Sequence, residues 1–151
     1  MRTLDLNILI REFVFEEMTD ADRQLLEQAK QATDNAYAKY SNFYVGAAAL
    51  LDDGSVVIGS NQENAAFPSG LCAERSAIFA AQSHYPTKSV NTLAIAARNE
   101  NGFLSNPISP CGACRQVMLE IEERYKKILM FGERFPRINA SLVEESEFER
   151  L

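Results

Sequence analysis

Apolar positions along this chain follow two rhythms, one of period two and one of period three to four, and the places where the rhythm changes mark out its elements. Leu4, Leu6, Ile8 and Ile10 alternate with other residues, with Phe13 and Phe15 following, which predicts an extra N-terminal strand or arm within 1–17. Thr19 then stands where a cap is needed, and Asp20 and Asp22 suit a first helical turn. Leu25, Leu26, Ala29 and Ala32 recur at helical spacing, so a helix is expected to run to about residue 38. An apolar run over 44–51, the turn Asp52-Asp53-Gly54 and a second run over 55–60 predict an antiparallel hairpin. Pro68-Ser69-Gly70 breaks the chain before a helix over 73–82. The short apolar run 93–97 reads as a buried strand. Asn99 to Gly102 and Ser105 to Pro107 read as the loop returning to Ser109, the expected cap of a second helix, with Pro110 in its first turn. That helix, over 115–125, places Val117, Met118 and Ile121 on its apolar side. Residues 127–131 and 138–143 read as further strands, and 144–150 as an acidic tail, helical or frayed.

Strands and helices alternate through the middle of the chain, and runs of Leu, Ile and Val suit a sheet covered on both faces. The fold expected is α/β, a three-layer α/β/α sandwich on a mixed sheet of about five strands. A length of 151 residues suits a single domain over 1–151.

Composition narrows the function by exclusion. With 46% hydrophobic and 24% charged residues the chain can bury a core. A net charge of −6 argues against a protein that grips a phosphate backbone and favours a small neutral substrate, with no nucleic acid and no membrane as partner. No apolar run approaches the roughly 18 residues of a membrane span, and 1–12 lacks the apolar core of a signal peptide, so a cytoplasmic location is expected. The odd number of cysteines, 3, suits metal thiolates in a reducing compartment better than a disulfide framework. His84 reads as an exposed loop histidine outside the metal chemistry.

All three cysteines lie at the starts of the two later helices, in Cys72-Ala73-Glu74-Arg75 and Pro110-Cys111-Gly112-Ala113-Cys114. The positive end of a helix dipole favours thiolate, the form that binds metal. Zinc held by Cys72, Cys111 and Cys114 keeps a fourth position for water. Glu74, two residues after a ligand and not itself one, is suited to take a proton from that water and deliver it to a leaving group. A Cys-x-Glu with a later Pro-Cys-x-x-Cys is the arrangement of zinc nucleobase deaminases. Two other readings of the thiols stand beside it: a closed, structural zinc module, and a thiol–disulfide exchange pair at Cys111 and Cys114. The polar cluster Asn61-Gln62-Glu63-Asn64 at a strand exit reads equally as a ligand-contacting edge or as a solvated loop.

Four blocks in order, residues 36–48, 61–67, 72–75 and 109–117, closely resemble the small homotetrameric cytidine deaminases, a likeness covering about 20–132. The resemblance implies a zinc hydrolase that converts cytidine and deoxycytidine to the uridines, one Zn²⁺ per chain, and a homo-oligomer, tetramer or dimer. It implies that Cys72, Cys111 and Cys114 hold the metal and Glu74 shuttles the proton. Phe43 would pack on the pyrimidine, Asn61 and Glu63 would bind the ribose hydroxyls, and Arg75 would donate to the thiolates. The chain departs from the family pattern at Lys39, where proline is usual, and at Phe67, where tyrosine is frequent. Its C-terminus, with Phe148, lacks the family's Leu-Leu-Pro block. A deaminase of a modified aminopyrimidine nucleoside, of the blasticidin S type, is the nearest alternative.

Overall fold

A computed structural model of the chain describes residues 14–126. The strands and tail expected within 1–13 and 127–151, Phe148 among them, lie outside the described residues. Phe15 does not continue an N-terminal strand: Phe15–Glu17 is a 3-10 turn whose ring lies against the cations of Arg23 and Lys30.

Helix α1, Asp20–Ala32, opens as expected, with Thr19 Oγ1 accepting from the Asp22 amide at 3.1 Å. It ends six residues before the expected position. Thr33, Asp34 and Asn35 compete with the helix for backbone groups and close it as a 3-10 turn. The Thr33 hydroxyl donates back to the Lys30 carbonyl at 2.6 Å and accepts from Arg98 Nε at 2.9 Å.

Strand β1, Tyr44–Leu51, is the centre of the sheet; it pairs antiparallel with β2, Val56–Ser60, and with β3, Val90–Asn99. The turn between β1 and β2 uses Gly54 at φ 86°, where a side chain is disfavoured. What reads in sequence as a loop at residues 99–102 is a tight reversal into a short edge strand β4, Gly102–Phe103. The sheet order is β2-β1-β3-β4, and every pairing among the described strands is antiparallel.

The alternation of β1 separates two cores. Val45, Ala47, Ala49 and Leu51 face helices α2, Ala73–His84, and α3, Gly112–Tyr125, through Ala77, Ile78, Met118 and Ile121. Ala48 and Leu50 face α1 through Leu25 and Ala29. Helices therefore cover both sheet faces, the three-layer arrangement expected. Two glycines set the layer spacing: a Cβ on Gly46 would stand 2.0 Å from the Ala29 carbonyl oxygen, and one on Gly59 2.3 Å from the Ala77 nitrogen. Among the described residues no helix is long and apolar enough to cross a membrane.

Candidate active site

Both helices of one layer start at the same end of the sheet, and a cysteine caps each. Cys72 precedes α2 and Cys111 precedes α3, both with extended backbone. Ser109 is thus not the cap of α3, and Pro110 lies before the helix. Arg115 instead ties both residues down, donating to the Pro110 carbonyl at 2.9 Å and to Ser109 Oγ at 3.4 Å. Starting the helix at Gly112 puts Cys111 and Cys114 three residues apart, on one face.

The three sulfurs converge. Cys72 Sγ lies 3.8 Å from Cys111 Sγ, which lies 3.5 Å from Cys114 Sγ, and all three fall within 4.8 Å of one another. Zn–S bonds of about 2.3 Å in tetrahedral geometry separate sulfurs by about 3.8 Å. The donor set and its spacing therefore fit zinc.

The three thiols differ in how readily they lose their protons. Burial pushes the Cys72 and Cys114 thiols above the ordinary range; the Glu74 carboxylate adds to the rise, and at Cys72 Arg75 opposes it. At Cys111 burial acts upward too, but hydrogen bonds from the Cys114 and Ala113 amides, with the neighbouring thiols, bring the net shift below it. A divalent cation supplies the charge that three converging thiolates need. Arg75 adds a second cation, its terminal nitrogen 3.7 Å from Cys72 Sγ, and its contact with that sulfur raises its own pKa. Its buried Nε has no hydrogen-bond partner among the described residues.

Glu74 is 5% exposed in the first turn of α2, near enough to Cys72 and Cys114 for its charge to raise both thiols. It lines a cavity of about 860 Å³ together with Cys72, Cys111, Phe43, Asn61 and Glu63. That volume is in the range of small-molecule sites.

The segment 61–63 organises the rest of the cavity. Its backbone bridges Tyr37 on one side and Leu71, the neighbour of Cys72, on the other. The Asn61 amide joins β2 to the start of β1: Nδ2 donates to the Phe43 carbonyl at 2.9 Å and Oδ1 accepts from the Val45 amide at 2.8 Å. Glu63 Oε2 accepts from the Tyr40 amide at 2.7 Å and the Ser41 amide at 3.3 Å, and Oε1 accepts from the Ser41 hydroxyl. These bonds hold the Glu63 carboxyl below its ordinary range, the Ser41 hydroxyl chief among them. Sequence reading assigned nothing to Ser41, Arg115 or Ile108, another residue lining the cavity. Ser41 lies within a block that resembles the family, which was the available signal.

His84 ends α2 instead of lying in the following loop; it is exposed, with Nδ1 2.8 Å from the Ala80 carbonyl oxygen. It stands apart from the three-thiol centre.

Fold and centre together define a zinc protein of the three-layer α/β/α class, with its metal held at two helix N-termini. Residues 19–131 match the family model described as the cytidine and deoxycytidylate deaminase zinc-binding region. The chain is 48% identical over 101 residues to the cytidine deaminase of Halalkalibacterium halodurans, covering 66% of this chain and 72% of that protein. It resembles the crystal structure of cytidine deaminase from Burkholderia pseudomallei at TM-score 0.65 and 36% identity, covering 85% of this chain and 98% of that one. The corresponding Mycobacterium tuberculosis structure gives 0.64 and 38%, over 81% and 93%. The chain belongs to the cytidine and deoxycytidylate deaminase family.

Proposed function

We propose that this protein is a zinc-dependent hydrolase that deaminates cytidine and deoxycytidine to uridine and deoxyuridine, releasing ammonia. The observation that carries the reading is one cavity lined by Cys72, Cys111 and Glu74 together with Phe43, Asn61 and Glu63. A structural zinc module has no need of a buried carboxylate beside its ligands or of a chamber opening onto them.

Cys72, Cys111 and Cys114 would hold the metal, which when bound supplies the Lewis acidity that activates water towards the amino-bearing ring carbon. Glu74 would take one proton from the attacking water and pass it to ring N3, then take the second from the new hydroxyl on the ring carbon and pass it to the amine, which leaves as ammonia as the carbonyl forms. Burial suits it to this exchange, because few waters compete for the proton. Phe43 packs against the pyrimidine. Asn61 and Glu63 bind the sugar hydroxyls, the carboxylate of Glu63 accepting a charge-assisted hydrogen bond that a free base cannot offer. Arg75 offsets the charge of the thiolates. The names of the relatives favour cytidine over a modified nucleoside of the blasticidin type.

The residues 1–151 form one domain, active in the cytoplasm as a homo-oligomer, a tetramer by family resemblance. The exposed Phe67 at the cavity rim, 91% accessible in the single chain, is the kind of apolar surface that a neighbouring subunit covers.

The deciding experiment is Glu74→Gln, with zinc content, thermal unfolding and the ultraviolet absorbance change of cytidine measured together. Zinc and fold are expected to persist while turnover falls by at least about 10²–10⁴-fold. Near-normal turnover would reject the role of Glu74, and unfolding on zinc loss with no activity in the native chain would favour the structural module.

A further inference from the structure

Among the groups that line the cavity, Glu63 takes its geometry from another part of the chain. Its carboxylate is a member of the 61–63 segment, yet all three of its hydrogen bonds come from the turn at 40–41. Two are backbone amides. The third is the Ser41 hydroxyl, which also accepts from the Phe43 amide at 3.1 Å. One hydroxyl thus joins the carboxylate expected to meet the sugar to the backbone of the ring expected to meet the base. A carboxylate offers about four acceptor directions. With two donors on Oε2 and one on Oε1, one direction, on Oε1, is left for a ligand hydroxyl.

From this geometry we infer that Ser41 is a positioning residue for nucleoside binding: its hydroxyl fixes the rotation of the Glu63 carboxylate, so that the remaining Oε1 acceptor faces the sugar, and holds Phe43 in step with it. The inference rests on the reading of Glu63 as a sugar contact. Removing the hydroxyl leaves the two amides on Oε2, so the carboxylate stays near the turn but swings about them. The Phe43 amide loses its acceptor at the same time. Ser41 is exposed and lines the cavity, and Thr is the replacement that keeps its hydroxyl.

The test compares zinc-loaded wild type, Ser41→Ala, Ser41→Thr, Glu63→Ala and the double variant Ser41→Ala/Glu63→Ala in steady-state deamination of cytidine. Glu63→Gln is run alongside, as a variant that keeps an acceptor for the turn. Ser41→Ala is expected to raise KM roughly fivefold to tenfold, the effect of one net hydrogen bond, with little change in kcat. Ser41→Thr should restore most of it. In the Glu63→Ala background the Ser41→Ala change should add little to KM, because the group it acts through is gone. An equal loss in that background, or a wild-type KM for Ser41→Ala while Glu63→Ala and Glu63→Gln are impaired, would overturn the role of Ser41 alone. Wild-type KM in both Glu63 variants would instead overturn the sugar-contact reading, and the inference with it.

Discussion

Replacing Gly59 with alanine adds one methyl group, and the structure puts that methyl inside the backbone of the zinc-bearing helix. The new carbon would stand 2.3 Å from the Ala77 nitrogen, 2.7 Å from the Ala73 carbonyl oxygen and 2.8 Å from the Ala77 α-carbon. None of these atoms can rotate away. Ordinary contact for a β-carbon begins at 3.4 Å, so α2 has to withdraw from β2 by about 1 Å. Overpacking of this kind costs roughly 1–3 kcal/mol. In a chain of this size that lowers Tm by about 2–12 °C. The catalytic consequence is larger in proportion, because Ala73 stands between Cys72 and Glu74. A shift of about 1 Å in a catalytic group can cost about 10²-fold in rate. Gly59→Ala should therefore lower Tm and kcat together, with zinc content measured on the same samples. Gly112→Ala serves as the control: the same methyl meets no atom within 4 Å there. Its stability should be unchanged or raised by up to about 1 kcal/mol through the loss of backbone freedom in the unfolded chain. A Gly59→Ala protein with wild-type Tm and kcat would refute the claim that this close approach sets the position of Cys72 and Glu74.

Arg75→Ala removes the side-chain cation beside Cys72, and zinc affinity in chelator competition should fall by about 10-fold or more. Unchanged affinity and rate would show that the helix dipoles suffice. Ile78, with no exposed surface between α2 and the sheet, should cost about 2–5 kcal/mol as Ile78→Ala in denaturant unfolding. A loss under about 1 kcal/mol would mean that the cavity closes by repacking.

The parts of the fold legible in sequence are those set by neighbours in the chain. The apolar run over 44–51 and the Asp-Asp-Gly turn place β1 and the hairpin directly, because the strand is flanked by a turn that depends only on local φ. The boundaries that shifted depend on distant partners. β3 runs from Val90 to Asn99, well beyond its apolar centre, because Tyr44 and Leu51 at the ends of β1 supply backbone partners to Arg98 and Val90. α1 stops short because Arg98, far along the chain on β3, engages Thr33 and Asp34. The three cysteines were legible as a set, since all of them fall in two short segments that open helices, although the same spacing also allowed a redox pair at Cys111 and Cys114. The bonds between Glu63 and the turn at 40–41 join residues 22 and 23 apart, and no local pattern announces them.

The same reasoning explains why the metal centre and the core are one construction. Cys114 is fully buried and belongs to the cluster that holds Ile78, Met118 and Ile121, so one ligand is also a core side chain. Cys72 packs against that cluster and Cys111 is exposed, both on helix ends whose dipoles offset thiolate charge. Bringing α2 and α3 against one face of the sheet therefore assembles the thiols without any further folding step, and a metal bound there favours the docked helices by mass action. The polar side of the cavity is built differently, from loops joined by side-chain hydrogen bonds at Asn61, Glu63 and Ser41. Substitutions in the apolar layer should thus disturb stability and metal retention together, whereas substitutions in the polar loops should change substrate affinity while leaving the fold and the zinc in place.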